Sequence, residues 1–182
     1  MTSPRDRLLD AAGELFHQEG VGVGVDALCR AAGVSKRSMY QLFESKDELI
    51  AASLERRGPT YDALLLPPGG GAPRDRVLHV FQAQDALTTR PGYRGCPLVA
   101  TAVELKDPDH PANDVARRRK QGLTDFFAAE ARAAGVTDPD ALAAQLTVVF
   151  DGSSTRAVLR AEPLGGLGVR TATALLDAAG MS

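Results

Sequence analysis

The sequence predicts an all-α fold, with a three-helix head at the N-terminus that contains a helix-turn-helix and a longer helical body behind it. Three observations carry this reading. Apolar residues recur at three- and four-residue spacing along nearly the whole chain. Two short stretches of this kind, Val25-Leu28-Cys29-Ala32 and Met39-Leu42-Phe43, flank the tripeptide Gly33-Val34-Ser35. There a glycine can take the positive φ that ends one helix, and a serine can cap the next. The one stretch with a strand-like alternation, Val21-Gly22-Val23-Gly24-Val25, is short and glycine-rich, so it reads as a loop.

Taken in order, Ser3 caps a first helix with Pro4 at its first position and Asp6 at its third. Leu8, Ala12, Leu15 and Phe16 form its apolar stripe, and Gly20 ends it. The helix-turn-helix follows. Ser45 with Glu48 three residues on forms a capping box for a fourth helix, which puts Lys46 in its first turn. Leu49, Ile50, Ser53, Leu54, Leu64 and Leu65 carry that helix toward Pro67, where PPGGGAP stops it. Arg74–Arg90 reads as a helix with Val77, Leu78 and Phe81 on one face, closed by Pro91-Gly92, and Cys96–Leu105 as a short apolar one. Asp107-Pro108-Asp109-His110-Pro111 is a rigid turn before a long helix, Pro111–Ala134, that Gly135 ends. Asp138-Pro139 opens a helix reaching about Glu162, and Leu164–Gly180 is the last. These two are rich in small residues, among them Gly152, Ser153, Ser154, Ala157, Ala172, Ala174, Ala178 and Ala179. Such residues fit a symmetric helix-pair interface and packing inside one subunit equally well.

At 182 residues and 44% hydrophobic content the chain can bury a sizeable core as one large domain or two small ones. A net charge of −2 argues against a protein that coats nucleic acid nonspecifically, so any DNA contact must come from a local basic surface. Arg30, Lys36, Arg37 and Lys46 supply one, opposed in that interval by Glu44. A charge run alone is usually a solvated helix face, and it is the turn beneath this one that gives it a functional reading. Cys29 and Cys96 lie in apolar helical contexts without a CxxC or a neighbouring histidine, which suits reduced thiols in the cytoplasm. The start MTSPRDRLLD is polar and charged, and no apolar run nears the roughly 18 residues of a membrane span. A soluble cytoplasmic protein, without membrane partners, is the expectation.

Enzyme readings find no constellation to rest on. His17, His79 and His110 stand far apart and fit no metal-ligand spacing. Asp107, Asp109 and His110 are explained by capping and proline stiffness. Ser153-Ser154 lacks a G-x-S-x-G elbow, and Gly69-Gly70-Gly71 lacks the lysine of a phosphate loop. No catalytic residue, metal or cofactor is expected.

The pattern Ala32-Gly33-Val34-Ser35, Met39-Tyr40, Phe43, Ser45-Lys46 and Leu49, with Leu15-Phe16 and Gly20 before it, resembles the DNA-binding domain of the TetR family of bacterial transcriptional repressors. The resemblance covers about the first fifty residues. It implies a DNA-binding head at residues 1–50, joined by the fourth helix to a ligand-binding and dimerisation body at residues 51–182. It further implies a homodimer through the last two helices, a double-stranded DNA operator, and a small-molecule effector whose identity the chain does not disclose. Two departures bear on DNA reading. Val23 and Gly24 stand where the family usually has Thr or Ser, which removes a hydroxyl cap; Arg37 and Leu42 stand where it often has Gly and a polar or aromatic residue.

A helix in the major groove reads base edges with side chains near its N-terminus while flanking groups hold phosphates. Lys36, Arg37, Ser38 and Gln41 are therefore assigned to base edges, and Tyr40 and Lys46 to phosphates. Met39 and Phe43, four apart, belong to the core face; Leu42 is either a core edge or a contact to a thymine methyl. For the ligand, Phe81, Gln82, Tyr93, Cys96, Phe126, Phe127 and Phe150 are the candidates, with Gln84 as a further polar group, although any one of the aromatics reads as core too. The expected function is a repressor released from a palindromic operator by a small molecule. The alternative is a helical small-molecule binder or enzyme that keeps the head only for folding or dimerisation.

Overall fold

The computed structural model describes residues 2–182, and nine α-helices and no strand form among them. They are α1 (Pro4–Glu19), α2 (Val25–Ala32), α3 (Lys36–Leu42), α4 (Lys46–Leu65), α5 (Pro73–Thr88), α6 (Pro97–Leu105), α7 (Pro111–Ala133), α8 (Pro139–Arg160) and α9 (Leu167–Ala178). Ends fall where the local chemistry places them. Ser3 Oγ accepts from the Asp6 amide and Ser35 Oγ from the Ser38 amide, while Gly33 closes α2 at φ 63°. The box at α4 is displaced: Ser45 Oγ accepts from the Glu48 amide at 3.1 Å, but the Glu48 carboxylate reaches the amide of Glu44, one residue ahead of Ser45, at 2.6 Å. Two expected ends move. α8 stops at Arg160 because Ala161 turns left-handed at φ 52°, and α9 starts at Leu167 because Gly165 and Gly166 both hold positive φ.

The helices gather into two compact units, one of Met1–Thr60 with Pro97–Arg119, the other of Tyr61–Cys96 with Lys120–Ser182. The division thus passes through α4 and α7, whereas the division at residue 50 follows the head motif.

In the first unit Leu8, Leu9, Ala12 and Phe16 of α1 bury against Leu28, Cys29 and Ala32 of α2, Met39 and Phe43 at α3, and Leu49 and Ile50 of α4. Each large side chain so buried contributes about 1.5–3 kcal/mol. Arg7 fastens the helix-turn-helix to α1, its Nε donating to the Ala32 carbonyl at 3.1 Å and its Nη2 to that of Gly33 at 3.4 Å. These are carbonyls at the C-terminus of α2, where a cation is favoured. Arg7→Ala should lower the unfolding free energy by about 1–2 kcal/mol; an unchanged urea midpoint would show that water satisfies those carbonyls as well.

Two further clips lie in this unit. Glu104, in the last turn of α6, accepts from the amides of Val21 at 3.0 Å and Gly22 at 3.3 Å, so the glycine-rich loop between α1 and α2 is held by a carboxylate. His110 caps α7, its Nδ1 accepting from the Ala112 amide at 3.1 Å, and its Nε2 lies 3.4 Å from Asp47 in the first turn of α4.

In the second unit Phe81 stacks on Phe127, with centroids 5.8 Å apart at 13°, and meets Phe150 edge-on at 6.2 Å. Val77, Val80, Leu146, Leu176 and Met181 complete the core. Gln84, buried beside them, donates from Nε2 to the Phe150 carbonyl at 2.7 Å. Gly168 permits the close approach of α9, since an added Cβ would lie 3.3 Å from Ser153 Oγ and 3.7 Å from Phe81. The small residues of α8 and α9 differ in exposure. Ser154, Ala157 and Ala172 are buried in this packing, while Gly152, Ala174 and Ala178 remain exposed.

Candidate nucleic-acid interface

The seven residues of α3 have one face turned in and one turned out. Met39 and Phe43 are fully buried, and the i,i+4 register that buries them leaves Lys36, Arg37, Tyr40 and Gln41 exposed. Tyr40 is half exposed despite its ring, a placement that suits a hydroxyl reaching outward. Leu42 is half-buried at the edge of the core.

The four base-edge candidates are not equivalent. Lys36 Nζ lies 3.3 Å from Asp26 Oδ1 on α2, a carboxylate outside the basic interval whose opposition the sequence did not reveal. Both groups are well exposed, so the pair is worth at most about 1 kcal/mol and yields easily to a stronger anion. Ser38 is half-buried, with its hydroxyl 2.8 Å from that of Ser35. Arg37 has no carboxylate within ion-pair distance among the described residues, and its five donors are free to face outward. Lys46 is half-buried at the start of α4, its ammonium 6.0 Å from the Phe16 ring, whose negative face holds it beside the motif against the repulsion of its own helix's positive end.

Gly24 is the N-cap of α2 and makes no side-chain cap bond, as the departure at Val23 and Gly24 leads one to expect. Cys29 is inert here: burial, and after it the Asp26 carboxylate, pushes its thiol pKa up. Arg5 and Arg7 were missed from sequence. Arg5 places its guanidinium 5.1 Å from the centroid of Phe43. The available signal was electrostatic, since a cation in the first turn of a helix opposes the macrodipole and so has another use.

The ligand candidates do not gather in one place. Phe81, Phe127 and Phe150 form the solid centre of the second unit. Phe126 is half-buried beneath the Arg76 guanidinium, 5.6 Å away, and Gln82 is exposed while Gln84 is the buried amide. Tyr93 and Cys96 belong to a separate polar cluster. The Tyr93 hydroxyl lies 3.0 Å from Ser154 Oγ, which also accepts from the Cys96 amide at 2.9 Å. Tyr61 completes it, and burial pushes both phenols above their ordinary range. Nearby on α7 and α8, Lys120 pairs with Asp151 and sits 4.8 Å from the Phe150 ring.

Known proteins share this arrangement. The family model for bacterial regulatory proteins, tetR family, matches residues 8–53. The chain is 54% identical, over 100% of both chains and with a TM-score of 0.95, to the crystal structure of a protein from Streptomyces avermitilis assigned to the TetR transcriptional regulators. The TetR-family regulator SCO4454 of Streptomyces coelicolor is 25% identical over 97% of this chain and 95% of its own, with a TM-score of 0.87. The transcriptional repressor NemR of Escherichia coli is 34% identical over 108 residues, 57% of this chain and 54% of NemR, so the chain spans about half the length of the curated relatives it matches. The head motif, the nine-helix architecture and a full-length likeness agree: this chain belongs to the TetR family of bacterial transcriptional regulators.

Proposed function

We propose that the protein is a repressor that binds a palindromic operator as a two-fold dimer and leaves it when a small molecule binds the body. The observation that carries this is the outward face of α3, where Arg37, Tyr40 and Gln41 stand exposed above a buried Met39 and Phe43, beside Lys46. Polar side chains on a helix face are ordinarily just solvated, and it is the helix-turn-helix beneath these that gives the face a functional reading. Arg37 donates to guanine, Gln41 pairs with adenine, and Tyr40 and Lys46 hold phosphates. Lys36 joins the reading set once DNA draws it from Asp26, and Ser38 stiffens the N-terminal turn. Electrophoretic mobility shift against the DNA upstream of the chain's own gene tests the reading; no sequence-selective shift would end it.

Arg37 and Lys46 should fail in different ways. Lys46→Ala weakens binding to all sequences alike and lowers the salt slope by about one unit. Arg37→Ala instead relaxes preference at one position in each half-site, by about 1–3 kcal/mol. Binding titrations over a salt series and a panel of operator variants separate the two, and exchanged phenotypes would exchange the roles.

The proposed dimer seam runs along α8 and α9. Ala141, Gln145, Val148, Gly152, Thr155 and Leu159 of α8 are exposed and alternate at four and three residues, which draws one straight stripe along the helix. Thr171, Ala174 and Ala178 continue a small-residue surface on α9. Residues 1–50 act as the DNA head and residues 51–182 as the body that dimerises and takes the effector. Release by tenfold requires the effector to prefer the released form by about 1.4 kcal/mol. Glu104 on the α1–α2 loop and His110 on Asp47 give the head a second attachment, beside α4, through which that preference can act.

A further inference from the structure

A cleft of about 260 Å³ lies in the second unit between the loop that follows α5 and the end of α8. Tyr93, Ala157, Val158 and Pro163 give it an apolar wall, and Arg90 and Arg94 line it with cations. The loop is seated firmly against α8. Gly95, at φ 86°, passes so close that an added Cβ would lie 3.0 Å from Val158 Cγ2. The floor is tied by Thr88, whose hydroxyl donates to the Asp85 carbonyl at 2.7 Å and accepts from the Leu164 amide at 3.2 Å.

Several arginines of this chain are committed to carboxylates. Arg56 pairs with Asp6 and Asp10, Arg74 with Asp177, Arg76 with Glu130, and Arg132 with Asp140. Arg90 and Arg94 have no carboxylate partner among the described residues, a condition they share with Arg30 and Arg37 on the proposed DNA face, with Arg160, and with Arg5, Arg7 and Arg170, the last three of which are engaged by a ring or by carbonyls. The acidic side chain of the cleft, Glu162, lies 3.4 Å from Arg156 and is not within ion-pair distance of either Arg90 or Arg94.

We propose that this cleft is a binding site for a small organic acid, whose carboxylate is held by Arg90 and Arg94 and whose compact apolar part lies against Tyr93, Ala157, Val158 and Pro163. Guanidinium forks match the two oxygens of a carboxylate. The volume, about 260 Å³, lies just below the usual ligand range of roughly 300–1,000 Å³, which restricts the site to a compact acid. Helices α5 and α8 both end here, and the partial negative charge of their last carbonyls repels an anion. An acid is therefore held through the two guanidiniums or not at all. The site also touches something that can respond, because Tyr93 bonds Ser154, Ser154 bonds the Cys96 amide, and the chain runs from Cys96 directly into α6. This names the class of effector for the ligand-responsive repressor; its consequence at DNA rests on that reading, whereas binding does not.

Isothermal titration of the full chain, without DNA, with benzoate and with its neutral counterpart benzamide is the test. Benzoate should bind at least about tenfold tighter than benzamide, a difference the charge alone supplies. Arg90→Gln with Arg94→Gln should cost benzoate at least about tenfold, while Arg160→Gln changes nothing. Equal binding of the two compounds, no binding of benzoate, or undiminished binding by the double variant would each overturn the site. The comparison on the wild-type chain stands even if the double variant folds poorly. Operator affinity is then measured with and without benzoate: binding that leaves the operator complex unchanged overturns release by this acid and leaves the site intact.

Discussion

Val148→Glu should turn the protein into monomers and cut operator affinity by at least about a hundredfold, roughly 2.7 kcal/mol. Val148 is 71% exposed and stands at the middle of the α8 stripe, with Gly152 one turn on and Gln145 one turn back. A two-fold seam brings each residue near its own copy or its neighbours, so the substitution buries two carboxylates of like charge without partners. A monomer head then meets one half-site and loses the added affinity of the second. The isolated chain carries no such cost, since the new carboxylate is in water, so its far-UV circular dichroism spectrum should match the wild type, while its melting temperature falls by what dimer formation supplied. That separates Val148 from Ala157, which is 4% exposed inside the unit; Ala157→Glu would damage the fold and say nothing of assembly. Sedimentation velocity measures the outcome directly, and a Val148→Glu protein that sediments as the wild type does places the seam on other helices.

Much of this architecture was legible because its signals are local. Ser3, Ser35, Ser45, Gly20, Gly33, Gly135 and the prolines at helix starts act within one turn of themselves, and the helices begin and end accordingly. The outward face of α3 was legible for a similar reason, as a four-residue spacing suffices to bury Met39 with Phe43. What escaped was long-range. Glu104 holds amides more than eighty positions earlier, and Arg7 bonds carbonyls at Ala32 and Gly33, with no periodicity to announce either. Asp26 reaches Lys36 across the turn, so the charge count of the interval overstated its freedom. In the body, bulk was a poor guide. An aromatic ring in a core and one in a ligand wall look identical in sequence, and the polar residues that distinguish sites, Tyr61, Ser154, Arg90 and Arg94, lie on separate segments that only folding joins.

Phe81→Ala should lower the unfolding free energy of the body by about 3–5 kcal/mol, the largest single loss expected from a truncation here. The ring is fully buried, stacked on Phe127 and edge-on to Phe150, with α9 brought close at Gly168. Deleting it removes the transfer free energy of the ring and leaves a void that three helices cannot close without moving α9. Aromatic pairing adds about 0.5–1.5 kcal/mol for each of its two partners to what is lost. The competing view makes Phe81 a wall of the effector site, as its sequence position suggested. A wall residue already faces a space, so its truncation costs less stability and appears instead in ligand binding. Urea unfolding followed by circular dichroism separates the two, with a loss within about 1 kcal/mol of zero marking a cavity wall. Benzoate titration of the same variant supplies the complementary readout. The core assignment expects affinity for the folded Phe81→Ala protein to stay near the wild-type value, because the ring is not among the residues lining the Arg90 and Arg94 cleft. A variant of ordinary stability that no longer binds the acid would move the site into the body's centre.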